Sequence, residues 1–341
     1  MARADLLKQL FQGYLRRDDH TFRSAAEAII AEERKKHHIV LANELDRLIR
    51  NGSASAHSST GWSFAPPPQD AERGAPLFEI RHPERYLQDL VLADVVRGSI
   101  IQVMREFADW DVLEANGLQP AQRVLFCGPS GCGKTATAEA IASELGLPLL
   151  YVRFDAVVSS LLGETAANLR KVFDYASRGQ WVMLFDEFDA IGRSRDDPTE
   201  HGEIKRVVNT FLQIMDGFKG RSLIIAATNF EQALDPAIWR RFDDIVRFER
   251  PSRSEVYWLL KNRLAAVHTD DLTVRRLADT LDSATFADAE RVAFDIRKTA
   301  ALRGSTTVKG SDVDEAVRRF TYRMSIFHNA SGPDLPSIDK D

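Results

Sequence analysis

The chain is poor in cysteine, with two in 341 residues, Cys127 and Cys132. That rules out a disulfide framework and fits a reducing compartment. A metal site at either thiol would need further His or Cys partners, and none stand near in sequence. Long apolar runs are missing as well. No stretch approaches the ~18 residues of a membrane span, and Met1-Ala2-Arg3-Ala4-Asp5 leads into no apolar signal core. A cytosolic, cytoplasmic protein without membrane association is therefore expected. Neither sign of charge is in excess: 45 Lys and Arg stand against 50 Asp and Glu, a net charge of −5. That balance argues against a general nucleic-acid binder, whose footprint is a basic surface. No His-Glu-x-x-His helix occurs anywhere, and His37-His38 does not supply one, so zinc-protease chemistry is not expected of this chain.

What is present is ordinary for a globular chain, 44% hydrophobic and 28% charged. The length allows two or three domains. Residues 1–50 carry three apolar stripes at helical spacing. These are Leu6, Leu7, Leu10, Phe11 and Tyr14; then Phe22, Ala25, Ala26, Ile29 and Ile30; then Ile39, Leu41, Ala42, Leu45, Leu48 and Ile49. So small a helical region buries little by itself and suits docking of a partner or client. Residues 51–76 are small, polar and interrupted by Pro66-Pro67-Pro68, which reads as a flexible linker with a stiff segment. From 77 to 250 short apolar strands alternate with helical stretches, the pattern of an α/β fold with a parallel sheet and helices on both faces. Strands are expected at 123–127, 149–154, 181–185, 222–228 and 245–248. Residues 251–325 return to helical patterns and form a small all-helical domain, and 326–341 read as a polar tail.

The sharpest motif is Gly128-Pro129-Ser130-Gly131-Cys132-Gly133-Lys134-Thr135, which matches G-x-x-x-x-G-K-[ST] at every fixed position. An apolar strand precedes it and a helix, read as 136–145, follows. Glycines let main-chain N–H groups turn toward an anion, and the helix presents its positive end to the same place. In such a loop Lys134 reaches the β- and γ-phosphates of a nucleoside triphosphate, and the Thr135 hydroxyl holds Mg²⁺.

A second apolar strand ends in Asp186-Glu187. Acids at the carboxyl end of a parallel strand face the ligand crevice. Asp186 there would contact Mg²⁺, directly or through water, and Glu187 would act as the general base on the attacking water. A third strand ends in Asn229, an amide able to orient that water. Then Leu234-Asp235-Pro236-Ala237-Ile238-Trp239 is followed by the adjacent pair Arg240-Arg241 and Phe242-Asp243.

Over residues 85–320 the chain resembles the AAA family of P-loop ATPases. The resemblance is carried by the loop at 128–135, Asp186-Glu187, Asn209-Thr210-Phe211-Leu212-Gln213-Ile214-Met215-Asp216-Gly217, Ala226-Ala227-Thr228-Asn229, and Leu234-Asp235-Pro236-Ala237 with Arg-Phe-Asp after it. It implies the P-loop NTPase sheet followed by a helical lid. ATP would be enclosed by residues 128–135 together with Ala136 and Asp186, with Mg²⁺ at Thr135 and Asp186. It further implies a homo-oligomeric ring, usually a hexamer. Asn229 would be a sensor of the γ-phosphate, and Arg240 and Arg241 would be arginine fingers reaching into the neighbouring subunit's site. Relatives often separate the two arginines by Pro-Gly, and here they are adjacent. Ser160-Leu161-Leu162-Gly163-Glu164 aligns with a pore loop that often carries an aromatic residue, where this chain has Leu161. Leu90-Val91-Leu92 resembles the lining of an adenine pocket. Phe286-Ala287-Asp288 keeps part of the Gly-Ala-Asp common at the second sensor. Cys132 stands where relatives often carry Thr or Ser, and its place beside Lys134 and a helix N-terminus predicts a lowered thiol pKa.

The function implied is ATP hydrolysis driving the remodelling, unfolding or activation of a protein partner, with a separate protease as a further partner. The domain content resembles that of stand-alone bacterial members that work with a separate protease. Two alternatives belong to other classes: a nucleic-acid motor or loader, and an assembly scaffold that uses ATP as a switch.

Overall fold

The apolar runs between residues 123 and 248 fold as the strands of one sheet because each is buried by its neighbours and by helices, which is why they read as continuous rather than alternating. The computed structural model describes residues 6, 8, 9, 19–35, 65–70, 74–153, 157, 162–188, 198–229 and 236–330. They divide into two units, residues 1–67 with 144–147 and residues 68–143 with 148–341.

In the first unit, α1 (Asp19–Lys35) buries Ala25, Ala26, Ile29 and Ile30 of the second expected stripe and leaves Phe22 half-buried. The third stripe lies outside the described residues, as do all of the first but Leu6, residues 51–64 of the expected linker, and 331–341.

The second unit runs β1 (Glu79–Arg81), α2 (Asp94–Ala108), α3 (Trp110–Ala115), β2 (Arg123–Cys127), α4 (Lys134–Leu145, whose last two residues are counted in the first unit), β3 (Leu149–Arg153), α5 (Leu162–Ala176), β4 (Val182–Asp186), α6 (Pro198–Gly217), β5 (Leu223–Thr228), α7 (Pro236–Trp239) and β6 (Asp244–Arg247). It continues through α8 (Arg253–Leu264), α9 (Asp271–Thr280), α10 (Phe286–Leu302) and α11 (Gly310–Ala330). The strand order is β1-β3-β4-β5-β2-β6. Five strands are parallel, as the sequence predicts, and each lies within a residue or two of its expected position. The sixth, β1, pairs antiparallel with β3 through Glu79 opposite Tyr151 and Arg81 opposite Leu149. With three residues of mixed polarity, it is too short to show a pattern in sequence.

The sheet core is fully buried. Val182, Met183, Leu184 and Phe185 of β4, and Leu223, Ile224, Ile225 and Ala226 of β5, are each 0% exposed. Each large side chain buried this way contributes about 1.5–3 kcal/mol. Below β4 an aromatic cluster gathers: Phe211 of α6 meets Phe185 at 4.9 Å and Phe188 at 5.2 Å between ring centroids.

The helices α8–α11 form a second core around Val256, Leu260, Leu277, Val292 and Ile296. Their starts are set locally. Ser252 and Glu255 close a capping box on α8, Asp270 caps α9, and Thr285 with Asp288 closes a box on α10. Fold class and the order of its parts, a sheet with flanking helices and then a helical lid, are those expected from the sequence.

Candidate nucleotide-hydrolysis site

β2 is flanked in the sheet by β5 and β6 although both follow it far along the chain. Such a reversal of strand order opens a crevice at the carboxyl ends of the strands. The loop 128–133 leaves β2 at that end. Gly128 has φ +135°, and a Cβ on it would lie 1.9 Å from the carbonyl oxygen of Phe248. Phe248 in turn donates its N–H to the Cys127 carbonyl at 2.7 Å. Only glycine lets these backbones close. Gly133, at φ +99°, has open space around its missing Cβ, so there the requirement is the backbone conformation itself.

α4 begins at Lys134, earlier than the 136–145 read from sequence, because the loop glycines lead straight into the first turn. Lys134 is 7% exposed. Its Nζ donates to the carbonyls of Gly128 (2.7 Å) and Pro129 (2.9 Å) and to Oδ1 of Asn229 (2.8 Å), all neutral acceptors. Asn229 follows β5, which pairs with β2 and ends with Thr228 opposite Cys127. The neighbouring strands thus bring together two residues 95 positions apart.

Asp186 ends β4, and Thr135 stands in the first turn of the helix after the loop. Thr135 Oγ1 donates to Asp186 Oδ2 at 2.8 Å. Tyr151, from β3, donates to the same oxygen at 3.3 Å. The other carboxylate oxygen, Oδ1, accepts the Glu187 N–H at 2.9 Å. Glu187 has φ +55°, the one non-glycine residue at positive φ among those described. A bulky residue there is strained by roughly 1–3 kcal/mol, and such outliers cluster at functional sites. The strain is held by its neighbours: Phe185 (0% exposed) and Phe188 (1%) anchor both sides on Phe211, so the chain must turn within Asp186-Glu187, leaving Glu187 exposed. Burial first, then the Asp186 charge, push the Tyr151 hydroxyl up to about 12, so it carries its proton at neutral pH.

The lid reaches the loop directly. Ala287 of α10 donates its N–H to the Gly131 carbonyl at 3.1 Å. A Cβ on Gly131 would meet Thr285 Oγ1 at 2.7 Å. The sequence-predicted Phe286-Ala287-Asp288 segment is thus the start of the lid helix that contacts the phosphate loop, with Asp288 closing its capping box. Leu90, Val91 and Leu92 are half-buried, and Val91 packs on the lid core.

Cys132 corrects an expectation. Its thiol is pushed up rather than down, because burial (1% exposed) outweighs the attraction of Lys134 and Arg250, and Asp288 adds to the rise.

Arg240 and Arg241 follow the short helix α7 and differ in surroundings. Arg241 pairs with Asp216 of α6, whereas Arg240 is exposed and has no hydrogen-bond or ion-pair partner among the described residues. Ser160 and Leu161, and Leu234 and Asp235, lie outside the described residues.

Tyr151 escaped sequence reading, and Asp216 was read only as part of the 209–217 segment, without its ties to Arg123 and Arg241. A hydroxyl-bearing aromatic within the otherwise aliphatic run Leu149-Leu150-Tyr151-Val152, on a strand next to the acid-ended one, was the available signal for the first.

A glycine-rich loop at the end of an inner parallel strand, an acid pair at the end of the next strand but one, and a helical lid bonded to the loop define a P-loop ATPase. The chain belongs to the AAA family. Residues 124–250 match the family described as "ATPase family associated with various cellular activities (AAA)". The chain is 39% identical over 318 residues to the uncharacterized AAA family ATPase y4kL of Sinorhizobium fredii, covering 93% of this chain and 95% of that one. It is 31% identical over 251 residues to the ATP-dependent zinc metalloprotease FtsH 3 of Sphaerobacter thermophilus, covering 70% of this chain and 50% of the relative. The proteasome-activating nucleotidase of Pyrococcus abyssi is 32% identical over 214 residues, covering 61% of this chain and 54% of the relative. The chain therefore spans almost the whole of the first relative and about half the length of the other two. No helix among the described residues is long and apolar enough to cross a membrane.

Proposed function

We propose that the protein is an ATP-driven motor that remodels, unfolds or activates a protein partner as a ring, with ATP bound at the interface of two subunits. The observation that carries this reading is the meeting of Lys134, Thr135, Asp186 and Asn229 at the ends of β2, β4 and β5, beside the exposed and strained Glu187.

The residues fit ATP and Mg²⁺. The Thr135 hydroxyl and Asp186 carboxylate are hard oxygen donors 2.8 Å apart. Such a pair suits an ion that keeps several waters and takes phosphate oxygens. When bound, Mg²⁺ neutralises charge on the phosphates. Residues 128–135 and Ala136 hold the phosphate chain through their backbone. Lys134 donates to the charged phosphate oxygens, which suits an ammonium this buried. Its release of Asn229 Oδ1 lets that amide orient water. Glu187, exposed at the crevice, takes the proton from the attacking water. Arg240 and Arg241 act on the adjacent subunit's nucleotide.

Similarity to FtsH 3 and to the proteasome-activating nucleotidase supports a polypeptide client. Any proteolysis, on this reading, is done by a separate protein partner. On this reading residues 1–50 dock the client or partner, 51–76 tether them, 77–250 and 251–325 are the large and small halves of the ATPase module, and the protein acts in the cytoplasm as a stand-alone bacterial motor.

The test uses two variants. Lys134→Ala abolishes ATP binding, and Glu187→Gln binds ATP, holds the oligomer and does not turn over. Purification of the Glu187→Gln protein from its host then identifies what stays bound. Normal hydrolysis by Glu187→Gln sinks the catalytic assignment, and a catch dominated by nucleic-acid machinery sinks the protein-client reading.

A further inference from the structure

We propose that Tyr151 is a positioning residue for the metal site, holding the Asp186 carboxylate in place from a different strand than the helix that carries Thr135. The inference rests on the reading of Thr135 and Asp186 as Mg²⁺ ligands and adds a residue outside the motifs quoted from the sequence.

Five residues on four elements close a ring of contacts that includes Asp186. Thr135 of α4 donates to Asp186 Oδ2 at 2.8 Å, and Tyr151 of β3 donates to the same atom at 3.3 Å. The Tyr151 ring is covered by the Arg81 guanidinium of β1, 3.5 Å from the ring centroid. Arg81 is held by Glu79 at 2.7 Å and reaches Glu139 at 4.0 Å. Glu139 belongs to α4 and stands four residues after Thr135, one turn along the same helix face. Arg85 binds Glu139 as well, at 3.2 Å. The ring thus returns to the helix from which it began.

This arrangement gives the antiparallel strand β1 a task. Its pairing places Glu79 opposite Tyr151 and so sets Arg81 over the phenol ring. A cation over the face of an aromatic ring fixes the ring's plane, and with it the direction of the hydroxyl. A carboxylate that accepts two hydroxyl hydrogen bonds on one oxygen has its rotamer chosen before metal arrives. Second-sphere donors of this kind commonly change metal affinity by about 10–100-fold when removed. A single neutral donor at 3.3 Å falls at or below the low end of that scale.

The test compares wild type, Tyr151→Phe, Arg81→Gln and Asp186→Asn as full-length proteins. Tyr151→Phe keeps the ring beneath Arg81 and deletes only the hydroxyl. Two binding measurements are made: ATP affinity in excess EDTA, and half-saturation by Mn²⁺ with ATP present, read by electron paramagnetic resonance. The expected result for Tyr151→Phe is unchanged ATP affinity in EDTA with Mn²⁺ half-saturation raised about three- to tenfold. Arg81→Gln, which leaves the hydroxyl but frees the ring, shifts Mn²⁺ the same way by less. The proposal is overturned if Tyr151→Phe leaves Mn²⁺ half-saturation unchanged, or if its EDTA affinity falls equally, which marks a merely structural role. Asp186→Asn separates the two readings. If it retains wild-type Mn²⁺ binding, the metal-site reading itself fails and the role of Tyr151 falls with it.

Discussion

Arg241 is ion-paired with Asp216, and the same carboxylate accepts from Arg123 at 3.2 Å, so this arginine is tied within its own subunit to the ends of α6 and β2. Arg240, next to it in sequence, is exposed and has no such tie among the described residues. In the proposed ring, Arg240 rather than Arg241 is the residue expected to act on the neighbouring subunit's nucleotide. Arg240→Ala should keep folding stability within about 0.5 kcal/mol of wild type and remove ATP turnover. Mixing it with Lys134→Ala subunits, whose arginines are intact, should restore part of the activity. Failure to regain turnover on mixing would argue that Arg240 does not act in trans. The Arg241 side chain is 51% exposed. Solvent screening at such a site means that Arg241→Ala should lower stability by no more than about 1 kcal/mol.

Gly128→Ala should be severe. The added methyl carbon would sit 1.9 Å from the Phe248 carbonyl oxygen, and the backbone is at φ +135°. The loop must move off β6, for a loss of about 2 kcal/mol or more. Nucleotide affinity and the unfolding midpoint should fall together. A variant that binds ATP normally would contradict this account of the loop.

The Cys132 thiol should react slowly. Its pKa lies above the ordinary thiol range because burial disfavours the thiolate, so at neutral pH the reactive form is scarcer than in a free cysteine. Iodoacetamide labelling followed by mass spectrometry should show a rate below that of the unfolded chain, rising only as pH increases past the usual thiol range. Rapid labelling of the native protein at neutral pH would refute the burial argument.

The lid should show acid sensitivity at Asp312. This residue is 2% exposed and bonded to Arg303, which holds its carboxyl below the usual aspartate value; the Lys309 N–H, 2.8 Å away, acts in the same direction. With the folded value depressed, its stabilising contribution is complete above the unfolded value, about pH 4, and is lost as pH falls through the folded value. Asp312→Asn should melt at a lower temperature at neutral pH and lose less on acidification than wild type. Equal pH dependence in the two proteins would count against the assignment.

The parts of this protein that were legible in sequence are those governed by short-range rules. A phosphate loop announces itself because glycine, lysine and threonine must stand at set spacings along a few residues. Buried parallel strands announce themselves because both faces are apolar, and Asp186-Glu187 and Asn229 follow from where such strands end. Other features depend on which strands lie side by side, and register is not written in any one segment. The pairing of β3 with both β1 and β4 brings Arg81, Tyr151 and Asp186 together. The return of α6 toward β2 ties Asp216 to Arg123 and, beyond α7, to Arg241. Burial, too, is a sum over distant neighbours, and that is why the charges near Cys132 suggested a lowered pKa while its packing raises it.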